Sequence, residues 1–442
     1  MNFEFPSGTK ARMSQNTIRV LHTSDWHLGK TLADVDRTAD YRAFLKWLLG
    51  IIEARSIDVL LVAGDIFDTT MPSADAQRLY YSFLTEAAKT SLRQIVVTAG
   101  NHDSQRFLRA PRELLSVVRT FVAGSTAEKE VCIVRDKDGA PLLGIAAVPY
   151  LREGDVRLSG ENDTDAARAA AWGRGIGEHY AKALEALKTS LSGADVPMIA
   201  SGHLFVTGAK VAGPDEGSDG GVYVGSLRNV SAAVFGSAWD YVALGHIHRA
   251  QKVSAEIPVR YSGSPLALDI GGAGDRHVVV ELEFDGRNLT ETEIEVPQPR
   301  RVMRIRGNLG ELMAKIEAAG SESPGAILEA IYEGDPMDAG ILVSELGRAA
   351  GEAGVNLSAV RPKLLLDGTG DAGPVKSLDD ISPDGVFKSV LEANAVTEEE
   401  REALTPLFLE ALERAEILER EKKAKLREKL AQGEKSAEED GE

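Results

Sequence analysis

Between residues 18 and about 295 the chain alternates short apolar runs, typical of buried strands, with longer segments of amphipathic helical spacing. The clearest helix candidates occupy residues 41–55, 74–89 and 166–191. This alternation of strand-like and helix-like segments predicts an α/β body for the first two thirds of the chain.

A smaller unit follows a proline-bearing segment at 296–299. From 301 to 366, short β-like runs alternate with helix-like runs, which predicts a small α+β unit. Near the end, Thr397 and Glu400 form a T-x-x-E capping box, and a later Thr-Pro pair marks a second helix start. The predicted division is a disordered leader at 1–17, a main domain at 18–297, a capping domain at 298–368, and a linker with a helical arm and disordered end at 369–442.

The composition excludes several classes of protein. Of 442 residues, 43% are hydrophobic and 27% are charged, which is ordinary for a globular protein and not for a disordered or collagen-like chain. The single Cys132 cannot form an internal disulfide or a cysteine metal cluster, which indicates a reducing cytosolic compartment. The apolar runs are shorter than the roughly 18 residues of a membrane span, and the first dozen residues lack the apolar block of a secretory signal. We therefore expect a cytoplasmic protein with no membrane partner.

The candidate chemistry lies where five of the strand-like runs end. Each run continues through a small residue to a carboxylate, amide or imidazole: IRVLHTSDWH, DVLLVAGD, QIVVTAGNHD, VPMIASGH and DYVALGHIH. Open α/β sheets place their sites at the carboxyl ends of strands, so these polar side chains should converge. The candidate metal ligands are Asp25, His27, Asp65, Asn101, His203, His246 and His248.

These donors indicate a particular kind of metal site. Carboxylate, amide oxygen and imidazole without sulfur suit Mn, Fe, Zn or Mg rather than a structural zinc centre. Asp25 and His27 can share one ion, whereas His246 and His248 can share one or serve two neighbouring ions. Seven ligands exceed what one ion usually takes, which predicts two ions bridged by Asp65. Two ions about 4 Å apart can hold a phosphate and activate a water, so we expect phosphate-ester hydrolysis.

In these motifs the sequence resembles the calcineurin-like metallophosphoesterase superfamily, and within it the DNA nucleases that act with an SMC-like ATPase. The segments SDWHLG, AGDIFD, AGNHDS, SGHLF, ALGHIHR and YSGSPL occur in the family's order over residues 18–268. The resemblance implies a two-sheet αββα sandwich, which is the nuclease domain, with a small α+β capping domain and a C-terminal helical arm. It also implies two ligand sets, the first being Asp25, His27, Asp65 and His248, and the second Asp65, Asn101, His203 and His246.

The resemblance gives His102 a role apart from the ligands. This position in the family contacts the scissile phosphate and protonates the leaving oxygen, which suits an imidazole because imidazole titrates near neutrality. The neighbouring Asp103 is expected to orient the ring as a second catalytic residue. Asp68 lies where some relatives carry a histidine near the metals. The other histidines lack the motif spacing and are expected to be structural: His22, His179 and His277.

The resemblance implies a metal-dependent DNA nuclease that uses two divalent ions, with manganese as the expected metal. It would digest double-strand ends in the 3′ to 5′ direction with ATP turnover by its partner, and cut single-stranded or hairpin DNA, in DNA repair, recombination and replication. The expected assembly is a homodimer within a heterotetramer, docked on the ATPase through the C-terminal arm and associated with the nucleoid. The net charge of −18 opposes DNA binding, so basic surface should come from the partner or from a local groove.

Other classes of function fit parts of the sequence. A stand-alone phosphodiesterase acting on nucleotides would explain the site but leaves the cap and arm without a purpose. A non-catalytic scaffold is disfavoured because every ligand position is filled. A phosphoprotein phosphatase is disfavoured because Asp65 is followed by IFD and Asn101 by HD, where that branch has GDxVDRG and GNHE.

Overall fold

The computed structural model describes residues 17–126, 129–156, 165–206, 209, 230–335 and 337–362. The predicted leader and the predicted helical arm lie outside these residues, apart from Thr17. Thr17 pairs with Asp285, so the first strand begins one residue before the predicted start of the main domain. The domain boundaries themselves stay predictions.

The described residues form strands and helices that we number in chain order. The strands are β1 (Thr17–Thr23), β2 (Val59–Ala63), β3 (Gln94–Thr98), β4 (Thr120–Ala123), β5 (Val131–Arg135), β6 (Pro141–Ala147), β7 (Met198–His203), β8 (Tyr241–Gly245), β9 (Gln251–Val253), β10 (Val259–Tyr261), β11 (Val278–Asp285), β12 (Asn288–Glu295), β13 (Val302–Gly307), β14 (Ile327–Tyr332) and β15 (Asn356–Pro362). The α-helices are α1 (Thr38–Ala54), α2 (Ala74–Ala87), α3 (Gln105–Arg109), α4 (Arg112–Val117), α5 (Glu153–Val156), α6 (Asp165–Leu191), α7 (Leu309–Glu322) and α8 (Ala339–Ala353). Two 3-10 turns occupy Ala232–Phe235 and Gly271–Gly274.

Two six-stranded sheets form the main body. The first has the order β12-β11-β1-β2-β3-β4, with β1 to β4 parallel and β11 and β12 antiparallel to their neighbours. The second has the order β5-β6-β7-β8-β10-β9, with β6, β7, β8 and β10 parallel. Parallel strands place all their carboxyl ends at one edge, so each sheet presents a row of loops there.

The sheets pack face to face with helices on both outer sides. One apolar cluster joins the inner faces of the two sheets and includes Val59 and Val96 from the first with Ile145 and Tyr241 from the second. A second cluster packs α1 and α2 on the first sheet, and a third packs α6 on the other. Because the central strands are covered on both faces, β2 is buried at every position. The predicted αββα sandwich is confirmed, as are the three helix candidates within one to three residues of their predicted bounds.

The smaller sheet is built from β13, β14 and β15, all parallel, with α7 and α8 as the crossovers. Asn308 and Glu311 form a capping box at the start of α7, which satisfies backbone N–H groups that the helix cannot. The unit packs on the main body through an apolar cluster that contains Leu32, Ala267, Val302 and Ile327. The short strands and helices predicted from 301 onward are therefore present in their predicted order.

None of the helices in the described part of the chain is long and apolar enough to span a bilayer.

Candidate metal centre

The site lies where neighbouring strands of the two sheets end. Asp25 follows β1, Asp65 follows β2 and Asn101 follows β3, in three adjacent parallel strands of the first sheet. His203 is the last residue of β7 and His246 follows the adjacent β8 of the second sheet. Because the two sheets face each other, both rows of strand ends open into the same space, as the family resemblance implied.

The backbone of these loops is unusual. Four non-glycine residues have positive φ: Asp25 at 51°, His27 at 45°, Asp65 at 50° and His246 at 96°. A side chain held in this region costs about 1–3 kcal/mol and persists only where its surroundings enforce it. Here the Asp25 N–H donates to the Gly64 carbonyl oxygen at 3.0 Å and the His27 N–H donates to the Asp65 carbonyl oxygen at 3.0 Å. These hydrogen bonds join the loop that carries Asp25 and His27 to the loop that carries Asp65.

Two glycines leave room for the imidazole of His203. Gly64 has φ of 90°, and a Cβ at this position would collide with the His203 ring. A Cβ on Gly245 would collide with the carbonyl oxygen of Ala63, which lies 3.0 Å from His203 Nδ1. Nδ1 therefore carries a hydrogen, and Nε2 is the ring nitrogen that faces the centre of the site.

The Asp65 carboxylate lies between two imidazoles. Its Oδ2 is 3.4 Å from His27 Nε2 and 3.2 Å from His203 Nε2. Asn101 Oδ1 likewise lies 2.9 Å from His203 Nε2 and 3.0 Å from His246 Nδ1. Donor atoms this close are arranged as ligands that share an ion, because each points at the same small volume.

Three sets of donors, each with atoms within 4.8 Å of one another, are present in the described residues: Asp25 with His27 and His248, His27 with Asp65 and His102, and Asp25 with Asp65 and His203. The buried Nε2 of His27 has no hydrogen-bond partner among the described residues, so a cation would supply the contact that it lacks. The donors are oxygens and imidazole nitrogens, which fit a divalent ion. The structure thus brings together all seven predicted ligands.

Burial sets the electrostatics of this cluster. It raises the pKa of the Asp25 carboxyl, and together with the neighbouring His203 it lowers the pKa of His246 to about 3. Burial would also lower the pKa of His203, but the Asp65 carboxylate outweighs it and raises that pKa to about 9. Without a cation, His203 is therefore the positive partner of Asp65, and binding a divalent ion must release its proton.

His102 occupies the same cluster. Its backbone N–H donates to Asp65 Oδ1 at 2.9 Å, and the centroid of its ring lies 4.8 Å from that of the His27 ring. Its Nδ1 lies 2.8 Å from the carbonyl oxygen of Asp68. A carbonyl can only accept, so Nδ1 carries the hydrogen and Nε2 is left for the substrate.

Asp103 differs from its predicted role of orienting His102. Its buried carboxylate accepts the backbone N–H groups of Ile66, Phe67 and Gly100 at 3.1, 3.0 and 2.9 Å. Burial and the Asp65 charge raise its pKa to about 6, against the effect of these donors. Asp103 therefore fastens the loop after β2 to the loop after β3, and the group that faces His102 Nδ1 is the backbone of Asp68.

The sequence does not define the role of Asp68. Its Oδ1 lies 3.1 Å from His27 Nδ1 and 3.2 Å from Lys30 Nζ, while its backbone faces His102. A carboxylate on Nδ1 fixes the tautomer in which His27 Nε2 is free to bind metal. The sequence did carry a signal for this position, because Asp68 lies in the same GDIFD segment as the candidate ligand Asp65.

Tyr150 is a neighbour of the site that sequence reasoning missed. Its ring centroid lies 6.3 Å from that of His203 and 6.4 Å from that of His246, and its N–H donates to the Ala99 carbonyl oxygen at 2.8 Å. It belongs to none of the ligand motifs, so only the fold reveals its position.

The other three histidines make contacts away from the cluster, and their structural role stays a prediction. His22 Nδ1 lies 3.1 Å from the Tyr241 hydroxyl inside the sandwich. His277 Nδ1 lies 2.9 Å from the carbonyl oxygen of Ser264, and His179 pairs with Glu130 at 2.8 Å.

A two-sheet sandwich with candidate metal ligands at facing strand ends is the arrangement expected of a metallophosphoesterase, and comparison with known families agrees. The profile of the calcineurin-like phosphoesterases matches residues 18–250, so the chain belongs to that family. The predicted fold and family are therefore confirmed, whereas the assignment of individual metal ligands stays a prediction.

Similar proteins of known identity show to which group of phosphoesterases the chain belongs. SbcD of Escherichia coli (strain K12), a component of the nuclease SbcCD, is 36% identical over 306 residues, which cover 68% of this chain and 74% of that protein. Its counterpart in Rhodobacter capsulatus is 34% identical over 316 residues, covering 68% and 75%. Its counterpart in Bacillus subtilis (strain 168) is 35% identical over 263 residues, covering 58% and 64%. Within the phosphoesterases the chain belongs to the SbcD family, and it is a hydrolytic, metal-dependent nuclease.

Proposed function

We propose that the chain cuts DNA phosphodiesters at a centre of two divalent ions, with manganese as the working metal. Asp25, His27 and His248 would hold one ion, Asn101, His203 and His246 the other, and Asp65 both. The observation that carries the proposal is the position of Asp65 Oδ2, 3.4 Å from an imidazole of one set and 3.2 Å from an imidazole of the other. When bound, such ions bind phosphate oxygens and lower the pKa of a water.

Side chains and backbone of the chain itself position the catalytic groups, and His102 supplies a proton to the leaving oxygen. The Asp68 carbonyl oxygen holds His102 Nδ1 at 2.8 Å, so the ring presents Nε2 toward the space between the strand ends. From there His102, carrying a proton on Nε2 as well as on Nδ1, would bind the scissile phosphate, donate the Nε2 proton to the leaving oxygen and be left as the neutral imidazole. Asp103 keeps the two loops that carry Asp65 and His102 at a fixed separation.

The specific activities are proposed from the relatives and from the tail. The relatives are named as subunits of the nuclease SbcCD. The 396–442 segment of this chain has a capping box and an apolar stripe that includes Leu409, Leu412 and Leu426, which suit docking on a partner. We therefore assign this segment, which lies outside the described residues, to binding an SbcC-type SMC-like ATPase in a heterotetramer with two copies of this chain. The complex would digest duplex ends 3′ to 5′ with ATP and cut single-stranded or hairpin DNA, in DNA repair and recombination.

One assay tests the reaction. End-labelled hairpin and single-stranded DNA are incubated with the full chain after chelation and Mn add-back, with Asp65→Asn as the matched control. We expect cleavage by the wild-type chain and none by the variant. If nucleotides or small phosphodiesters are hydrolysed while DNA of every form stays intact, the chain is a stand-alone phosphodiesterase instead.

A second assay tests the partner. Deleting 396–442 should leave the hydrolysis of small phosphodiesters unchanged, because the metal ligands lie far earlier in the chain. ATP-stimulated digestion of duplex ends should be lost. Co-purification of the truncated chain with the ATPase would show that the tail is not the docking segment.

A further inference from the structure

The YSGSPL segment, residues 261–266, contributes no candidate ligand but lies beside the metal centre. It continues from β10, the parallel neighbour of β8, so it leaves the second sheet at the same edge as the loop that carries His248. Ser262 is completely buried there. We propose that this segment positions Asp25 for metal binding, with the Ser262 hydroxyl acting through the Ser24 hydroxyl. The inference rests on the proposed two-ion centre.

Ser24 contacts the Asp25 carboxylate directly. Its Oγ lies 2.5 Å from Asp25 Oδ2 and 2.8 Å from Ser262 Oγ. A carboxylate that binds a metal ion has no hydrogen to give, so the Ser24 hydroxyl donates to it. A hydroxyl has a single hydrogen, so Ser24 can only accept in its contact with Ser262, which is therefore the donor there. The two hydroxyls form a directed chain from the end of β10 to the candidate ligand.

The other oxygen of this carboxylate is held from the second sheet. Asp25 Oδ1 accepts the backbone N–H of His246, which follows β8, at 2.9 Å. With a donor on each oxygen, the carboxylate cannot turn about its last bond without losing a hydrogen bond. Each oxygen keeps a further lone pair for a cation. The Ser24 hydroxyl therefore helps to fix the orientation of Asp25 and leaves the carboxylate free to bind an ion.

Gly263 fixes the path of the segment. Its φ is 72°, in the region that favours glycine, and a Cβ at this position would collide with the carbonyl oxygen of His248. The next residue, Ser264, donates its backbone N–H to the same carbonyl oxygen at 2.9 Å. One short segment thus contacts the backbone of His248 and, through Ser24, the carboxylate of Asp25. Both are ligands proposed for the same ion, so the segment supports the site of that ion.

A purely structural role of the two hydroxyls is the competing explanation. Buried hydroxyl groups need partners whatever their function, and the Gly263 carbonyl oxygen lies 3.5 Å from Ser24 Oγ and 3.4 Å from Ser262 Oγ. We favour positioning because these two contacts are longer than ordinary hydroxyl hydrogen bonds of about 2.5–3.0 Å. The 2.5 and 2.8 Å contacts lead instead to a candidate ligand. A structural role predicts lower stability of the variants with unchanged metal affinity.

The test measures metal affinity rather than cleavage. Ser24→Ala, Ser262→Ala and the double variant are chelated, and Mn is titrated back into the full chain by calorimetry. In Ser24→Ala one of the two Mn dissociation constants should rise about tenfold or more, because a ligand loses the partner that orients it. Ser262→Ala should raise it about threefold, because Ser24 can then turn toward the Gly263 carbonyl oxygen. The double variant should match Ser24→Ala within about twofold, because Ser262 acts only through Ser24.

Ser201→Ala is the matched control. It also removes a completely buried hydroxyl, one without a hydrogen-bond partner among the described residues, and it should change neither Mn dissociation constant. Wild-type Mn affinity in Ser24→Ala and Ser262→Ala would overturn the inference, even if urea unfolding of the chelated chains shows both to be less stable. Effects that multiply in the double variant would overturn the chain of hydroxyls. A wild-type chain that binds fewer than two Mn ions would instead overturn the two-ion centre. If Ser24→Ala does not fold, Ser262→Ala against the control decides the outcome.

Discussion

Replacing Asp68 by alanine tests whether its carboxylate holds His27 in the tautomer that can bind a metal ion. The substitution removes the carboxylate 3.1 Å from His27 Nδ1 but keeps the backbone carbonyl that faces His102. His27 then loses the group that fixes its tautomer, so its Nε2 is available to an ion for a smaller fraction of the time. Metal binding should weaken, whereas the orientation of His102 should persist.

The size of the effect follows from the contacts. Removing the partner of a metal-binding histidine typically costs 10–100-fold in affinity, which is about 1.4–2.7 kcal/mol. The second contact, between Asp68 and the 31% exposed Lys30, is a partly solvated ion pair and contributes about 0–1 kcal/mol. The contact with His27 should therefore dominate. Asp68→Asn, whose amide oxygen can still accept from Nδ1, should lose only about threefold.

Mn affinity is measured by titration calorimetry on the chelated chain, and cleavage is measured at saturating Mn. Lys30→Met is the control that removes the surface pair alone. We expect the Mn dissociation constant to rise at least tenfold in Asp68→Ala, with kcat at saturating metal within about threefold of wild type. Unchanged Mn affinity in Asp68→Ala would refute this role for the carboxylate.

Two further outcomes can be checked directly. His102→Ala should keep its bound metal while single-turnover cleavage falls about 10²–10⁴-fold, because a general acid is lost; equal loss of metal would make His102 a ligand, as its grouping with His27 and Asp65 permits. Burial, with a smaller contribution from Arg260, lowers the pKa of His22 to about 3. The unfolded chain therefore binds a proton at His22 more tightly than the folded chain does. The contribution of this residue to the free energy of unfolding is present above about pH 6.5 and is lost as the pH falls toward 3. Urea unfolding of His22→Gln at pH 6.5 to 4 should therefore show a slope against pH that is shallower by up to about 1.4 kcal/mol per unit, and coincident slopes would contradict the buried neutral ring.

The candidate metal ligands could be identified from the sequence because each of them lies at or just after the end of a strand. A buried strand is followed by glycine and then by a hard or borderline ligand at Asp65, Asn101 and His203, and parallel strands necessarily gather such ends at one edge. The convergence of the two sheets was implied by the family resemblance rather than by spacing. Periodicity found the helices because their apolar faces pack on the sheets.

The contacts that orient the ligands could not be predicted. Adjacency in sequence suggested that Asp103 orients His102, but the turn points the Asp103 carboxylate at the N–H groups of Ile66 and Phe67. Asp68 orients His102 through a main-chain oxygen, and every residue type carries one, so no side-chain pattern reveals it. Tyr150 reaches the site from the segment after β6 and belongs to no motif.

The number of ions bound by the chain tests the central claim most directly. Native mass spectrometry with elemental analysis after Mn reconstitution should find two ions per chain in the wild type. Asn101→Ala and His248→Ala should each retain one, and Asp65→Asn should lose both, because one carboxylate faces both sets of imidazoles. A wild-type chain that binds a single ion, or an Asp65→Asn chain that keeps two, would contradict the bridged centre.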